Sequence, residues 1–326
     1  MVGDSLYLGT LDGTVVSYTL IQDPRPGFLD RWVFEPDEKG VVAFYGNPAV
    51  TAEFFYIGTY NGRLYAIDAE QGTLRWKYPA KGDVERIVSG ITVVDGTLYF
   101  GSTNGKLYAL NAETGAELWA FKTENDIWST PVVSGGVVYV GSFDKHLYAL
   151  DAATGREMWR FETKGAIGAT PLVYNDTIYI GSFDRKFYAV GLDGKMKWAF
   201  EGGNWFWAEA VAFNDLIIAG SLDEKVYGLN AQDGSKTWEN KLEGAIRADL
   251  ALSGNIVIAG TQDDNVYGLD AATGASAWPS PYPVDGAVRA SLLAQDGTVY
   301  VYSSEGTLYA LDTEQGRLLW SKKTVK

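Results

Sequence analysis

An all-β propeller of eight four-stranded antiparallel blades is predicted by three observations. A tryptophan recurs at Trp32, Trp76, Trp119, Trp159, Trp198, Trp238, Trp278 and Trp320, with 39 to 44 residues between neighbours. Five of these close near-copies of one phrase, fullest as LYALDAATGREMW (Leu147–Trp159); two looser copies end at Trp198 and Trp238 and a degenerate one at Trp32. An alternating apolar stretch ending in glycine precedes each copy, at Gly9, Gly58, Gly101, Gly141, Gly181, Gly220 and Gly260, with Tyr302 in the last. A period near 40 residues marks a repeat architecture, because each unit is too small to bury its apolar face alone. The whole chain, residues 1–326, therefore reads as one domain where length alone suggests two.

The fourth unit shows the element order. Ser134–Asp144 (SGGVVYVGSFD) gives a turn, an alternating apolar strand and a second tight turn. HLYALDA is the next strand, Thr154-Gly155 turns the chain, and REMWRFET is the last strand. AIGATPLVY (Ala166–Tyr174) then opens the following unit. Alternation of β-branched and aromatic residues, broken by Gly, Asp and Asn, is the strand signature. No stretch carries a helical apolar period.

The turn after each glycine-ended strand carries Asp12, Asn61, Asn104, Asp144, Asp184, Asp223, Asp263 or Glu305, four of them followed by Gly13, Gly62, Gly105 and Gly306. These pairs suit tight hairpins, so the acidic residues read as turn chemistry and not as metal ligands. The repeated tryptophans read as packing between twisted sheets, each burying about 150–250 Å² with its N–H on a backbone carbonyl. The glycine before each permits the turn that aims it.

Composition excludes several functions. The chain has no cysteine, which removes disulfides, thiolate metal sites and cysteine nucleophiles. A formal charge of −14 argues against nucleic acid as a partner, since phosphate recognition needs clustered Lys and Arg. The single histidine, His146, sits where other units carry Arg63, Lys106 or Lys186 and is expected to be an ordinary exposed residue. No apolar run is long enough for a membrane-spanning helix, and no signal-peptide pattern precedes the first strand.

The pattern Ala-x-Asp-x-x-Thr-Gly-x-x-x-Trp, intact as Ala149, Asp151, Thr154, Gly155 and Trp159, resembles the docking motif of the pyrroloquinoline-quinone-like propeller repeats. The third unit has Asn111 for Asp and the seventh Gly268 for Ala; the fifth is one residue short and the first keeps little beyond Trp32. The resemblance spans essentially the whole chain. It implies one of three functions: a calcium- and quinone-dependent alcohol or sugar dehydrogenase, a lipoprotein scaffold of the outer-membrane barrel-assembly machinery, or a sensor domain of a membrane kinase. The enzyme needs a Glu/Asn/Asp calcium site, a catalytic Asp and, in many members, a cysteine pair. This chain has no cysteine and no cluster assignable to calcium, so the expectation is a non-catalytic binding or scaffold propeller without cofactor, with a ligand-sensing receptor domain as the alternative and a dehydrogenase holding pyrroloquinoline quinone and calcium as the third reading. The resemblance also implies a location outside the cytoplasm, periplasmic or at the cell surface.

In a propeller the first strand of each blade lines the channel. Just before it the units carry Tyr45, Val88, Trp128, Gly168, Trp207, Arg247 and Arg289; two residues on come Asn47, Gly90, Thr130, Thr170, Glu209, Asp249 and Ser291. These slots vary while the docking slots do not, as an asymmetric binding site would require. Tyr45, Trp128, Trp207, Glu209, Arg247, Asp249 and Arg289 are therefore the candidate site. Arg247 and Arg289, in one slot of adjacent blades, are expected to converge at one mouth of the channel and hold an anion bidentately. Trp128 and Trp207, with Trp205 flanking, offer faces for an aromatic group or a peptide side chain. Alternatively, Glu209 and Asp249 neutralise the arginines within the protein. The expected partner is a protein or peptide, an acidic one included, or a small anionic or aromatic ligand. The longer connections FEPDEKG, YPAKGDVE and PSPYPVDG all lead into first strands and are expected on the same face, where loops carry function.

Counting back from Gly9 leaves no room for a first strand in unit one, and the six residues after Trp320 are too few to supply it. Blade one is thus expected to be nearly three-stranded, and the chain to be a monomeric piece of a longer protein whose upstream residues complete it.

Overall fold

Strands account for all the regular structure in the computed structural model, which describes residues 1, 3–10, 12–21, 26–36 and 42–324. They form eight antiparallel sheets whose strands are neighbours in chain order, and the protein is an all-β, eight-bladed propeller. Seven sheets have four strands; the first, Ser5–Gly9, Val15–Ile21 and Gly27–Phe34, has three among the described residues. Part of the FEPDEKG connection, with Val2, lies outside the described residues.

The chain divides into two compact units, Met1–Arg160 and Phe161–Lys326, the division falling within the fourth blade's outer strand, Glu157–Glu162. In the first unit, blade three runs Ile91–Val94, Thr97–Gly101, Lys106–Asn111 and Glu117–Lys122. In the second, blade six runs Val211–Phe213, Leu216–Gly220, Lys225–Asn230 and Lys236–Lys241. The second and third strands carry the core: Leu98 to Gly101 and Leu107 to Leu110 are all buried, whereas the outer strand Glu117–Lys122 alternates between half-buried and exposed.

Each docking phrase folds for a local reason. Asp151 Oδ1 accepts the Thr154 N–H at 2.9 Å and the Thr154 hydroxyl at 2.6 Å, closing a turn on the side chain. Gly155 follows at φ +70°, a conformation other residues adopt at a cost, and its Cβ position lies 2.6 Å from the indole of Trp119, the preceding blade's tryptophan. The motif glycine therefore serves two needs: it turns its own chain, and it leaves room for a neighbour's ring.

A bulge then re-aims the tryptophan. Ala109 pairs with Trp119 but Leu110 with Glu117, and the same register shift precedes Trp76, Trp198, Trp238 and Trp320. So aimed, the indole reaches the next blade. In the first unit Trp32, Trp76 and Trp119 donate Nε1–H to the carbonyls of Ala69, Ala112 and Ala152 at 3.0–3.2 Å. In the second, Trp198, Trp238 and Trp278 donate to Ala231, Ala271 and Thr313 at 2.8–3.3 Å. Several of these carbonyls take a second donor: the hydroxyls of Tyr7, Tyr56, Tyr99 and Tyr179 reach Ala69, Ala112, Ala152 and Ala231. Burial pushes the Tyr56 phenol up to about 12, so the hydroxyl remains a donor at physiological pH.

Candidate functional site

Within each unit, the connections into the inner strands are tied to the turns between second and third strands by one repeated bond. In the first unit Tyr60, Thr103 and Phe143 donate their backbone N–H to the carbonyls of Ala43, Arg86 and Asp126; in the second Phe183, Leu222, Gln262 and Ser304 donate to Ala166, Trp205, Ala245 and Ala287. All seven bonds measure 2.8–3.0 Å. The turn carboxylates reinforce this contact. Asp144 accepts the Glu124 N–H and the Tyr148 hydroxyl, Asp184 those of Lys164 and Tyr188, and Asp223 those of Gly203 and Tyr227. Among the described residues no group of three or more His, Asp or Glu side chains is placed to hold a metal. His146 departs from expectation: it is half-buried, with Nδ1 3.2 Å from Asp144 Oδ1, because the tight turn folds its ring back onto that carboxylate.

On this connection face of the second unit, rings and a cation form a four-layer stack. Phe183 stacks against Trp205 with centroids 4.6 Å apart and planes 8° off parallel, and against Trp207 at 4.8 Å and 19°. The Arg247 guanidinium lies over the Trp207 ring, 4.4 Å from its centroid. Trp205 and Trp207 reach the surface because Phe206 between them turns inward and is fully buried in the core. Alternate residues of the segment thus divide between packing and surface.

Two residues further along each connection, the carboxylates are engaged structurally. Asp249 accepts the Glu209 backbone N–H at 2.7 Å on one oxygen and the Ser291 hydroxyl on the other. Burial, with Asp249 adding repulsion, pushes the Glu209 carboxyl up to about 8, so it is largely protonated at neutral pH. Arg289 is exposed and makes no ion pair among the described residues. Of the second-unit candidates, the structure joins Trp207 to Arg247 and Glu209 to Asp249, and joins Arg289 to neither pair.

The first unit holds its own cluster. Tyr45 is 66 % exposed and lies 5.0 Å from Tyr60, itself 40 % exposed, and the Arg86 guanidinium sits 4.9 Å from the Tyr60 centroid. Trp128 packs on Phe143 at 4.8 Å and donates Nε1–H to Asp126 at 3.2 Å. The Gly90 N–H reaches the Thr130 hydroxyl at 3.1 Å, the same slot-to-slot bond that Glu209 makes to Asp249. Sequence reasoning missed Tyr60, Phe143 and Phe183. They share one slot, second after the strand-ending glycine, and alignment of the repeats on that glycine shows it aromatic in three blades.

Blades locked to their neighbours within each unit by tryptophan-to-carbonyl bonds, with variable ring and cation residues on the connections, define a tryptophan-docked repeat propeller. The family described as outer membrane protein assembly factor BamB matches over residues 11–126, 84–200, 128–244 and 222–326, and the chain belongs to that family. Among solved structures, BamB from Moraxella catarrhalis superposes with a TM-score of 0.80 at 20% identity, covering 95% of this chain and 94% of that one. The computationally designed Ika8 protein superposes with a TM-score of 0.76 at 18% identity, covering 86% and 87%. At these identities both likenesses are likenesses of fold. A search of curated protein sequences finds no match.

Proposed function

We propose that the chain is a non-catalytic scaffold that presents the connection face of its blades to a partner protein. The observation that carries this reading is the Trp205–Phe183–Trp207–Arg247 stack, which places large amphipathic side chains at the surface of a unit whose Trp198, Trp238 and Trp278 are buried between blades. Rings and arginines held in place before binding lose little entropy when a partner arrives, and these residue types dominate protein interfaces. Glu209 and Asp249 support the face from below, their oxygens and N–H groups joining neighbouring connections. Arg289 and Tyr45 stand exposed, each on its own unit, as contact residues. Membership of an outer-membrane assembly-factor family supports protein partners and a site of action outside the cytoplasm.

Photo-crosslinking in cells of the source organism tests this. A photoreactive residue at Tyr45, Trp205 or Arg289 should give one discrete protein adduct. The same residue at Lys195, in a turn leading to an outer strand, should give none. Equal adducts from Lys195, or none from all three face positions, would refute the scaffold reading.

A further inference from the structure

The open face of Trp205 has a shape and a charge setting that point to one class of occupant. One side of the indole is covered by Phe183 at 4.6 Å, yet the residue is 41 % exposed, so the other side faces solvent. Its backbone is fixed at both ends: the N–H donates to Asn204 Oδ1 at 2.9 Å and the carbonyl accepts the Leu222 N–H at 2.9 Å. A flat ring held this way is a platform prepared in advance.

Rings on these connections are covered by other rings or by guanidinium groups. Arg86 lies over Tyr60 and Arg247 over Trp207, each guanidinium within 5 Å of a ring centroid. Trp205 occupies in blade six the connection position that Arg86 occupies in blade three. Where the first unit places Arg86 at this position, the second places another ring, and the Trp205 end of its stack carries no cation among the described residues, Arg247 lying at the other end. We propose that the missing layer comes from outside: the Trp205 face receives an arginine side chain of a partner protein segment. This rests on the scaffold reading and adds the chemistry of one contact.

Charge favours the same occupant. The chain carries a formal −14, and the turn beside Trp205 holds the Asp223 carboxylate, fixed by the Gly203 N–H at 2.7 Å and the Lys225 N–H at 3.2 Å. A cation is drawn to an indole face by the ring quadrupole, and a guanidinium is flat and weakly hydrated, so it stacks at lower desolvation cost than an ammonium. An aromatic partner side chain would gain area without that electrostatic attraction.

The test follows the indole N–H resonances of the ¹⁵N-labelled full chain, with Trp205 assigned by its loss in Trp205→Phe. The probes are four blocked nine-residue peptides differing only at three positions: arginine, lysine, citrulline or phenylalanine. The arginine peptide should shift the Trp205 signal saturably, and added salt should weaken it. Trp205→Ala, and replacement of arginine by citrulline, should each weaken binding about fivefold to thirtyfold. An unmoved Trp205 signal, unchanged affinity in Trp205→Ala, or citrulline or phenylalanine peptides binding as tightly as arginine would overturn the proposal. Unperturbed signals from the docking indoles in Trp205→Ala verify that the variant is folded. Failure here alongside a protein adduct from Tyr45 or Arg289 would leave the scaffold standing; success here with no adduct from any face position would do the reverse.

Discussion

Trp278 and Trp205 belong to the same compact unit, yet their surroundings are opposite. Trp278 is 3 % exposed, bonds to the Thr313 carbonyl at 2.8 Å and overlies Gly316. Trp205 is 41 % exposed and has a ring on one side only. A side chain that fills the space between blades has its surroundings dictated by the next blade, so its slot recurs in every unit. A side chain on a connection answers only to its neighbours on the surface, and the fold tolerates Arg86, Asp126, Trp205 or Ala245 in one position. The lesson is that the repeat separates docking from variation by location: the outer strands hold the blades, and the connections differ from unit to unit.

The comparison sharpens most at Gly316. At φ +67°, with a Cβ position that runs into the Trp278 indole, it cannot accept a side chain without moving the docking ring. Gly316→Ala should cost about 2–4 kcal/mol by chemical denaturation, combining left-handed strain with overpacking. A cost below about 0.5 kcal/mol would show that the docking contact gives way easily and that the division of labour is weaker than drawn.

Glu209 tests whether the connection face is wholly free of structural duty. Its folded value of about 8 exceeds the ordinary glutamate value, so the stability it contributes is complete at low pH and is lost as pH rises through about 8. Relative to Glu209→Gln, the native chain should lose up to about 4 kcal/mol between roughly pH 4.5 and 8.5, then level off. Parallel stability curves for the two proteins would mean that water reaches the carboxyl and that burial does not hold its proton.

Smaller effects follow for the cation of the stack. Arg247→Ala should cost about 1 kcal/mol and alter the fluorescence of Trp207, whereas Arg247→Lys should keep part of the interaction. Equal losses in the two variants would assign the stabilisation to packing by guanidinium shape. Smallest of all, Lys145 at φ 77° and Arg185 at φ 71° stand where other blades place Gly62 and Gly105. Lys145→Gly should be neutral to about 1 kcal/mol stabilising, since relief of left-handed strain competes with added unfolded-state entropy. A loss above about 1 kcal/mol would mean that the lysine side chain makes a needed contact.

The fold was legible because its determinants are local and repeated. Asp151, Thr154 and Gly155 close their own turn, and the tryptophan follows within five residues. The connection face was legible only in part. Aligned slots single out Trp207 and Arg247, and the two side chains meet, but the ring between Trp205 and Trp207 comes from a turn about 20 residues earlier. The structure also gives Arg247 an aromatic face, a contact that slot alignment alone does not show. A guanidinium stacks readily on a flat indole within reach, a preference that appears only once neighbouring connections are placed in space.

Thermal unfolding of Trp278→Ala and Trp205→Ala, measured side by side under one buffer, tests the division between docking and display most directly. Trp278→Ala should cost about 3–5 kcal/mol and lower the melting temperature by several degrees, while Trp205→Ala should stay within about 1 kcal/mol of the native protein. Comparable losses in the two variants, or a larger loss from Trp205→Ala, would contradict the account.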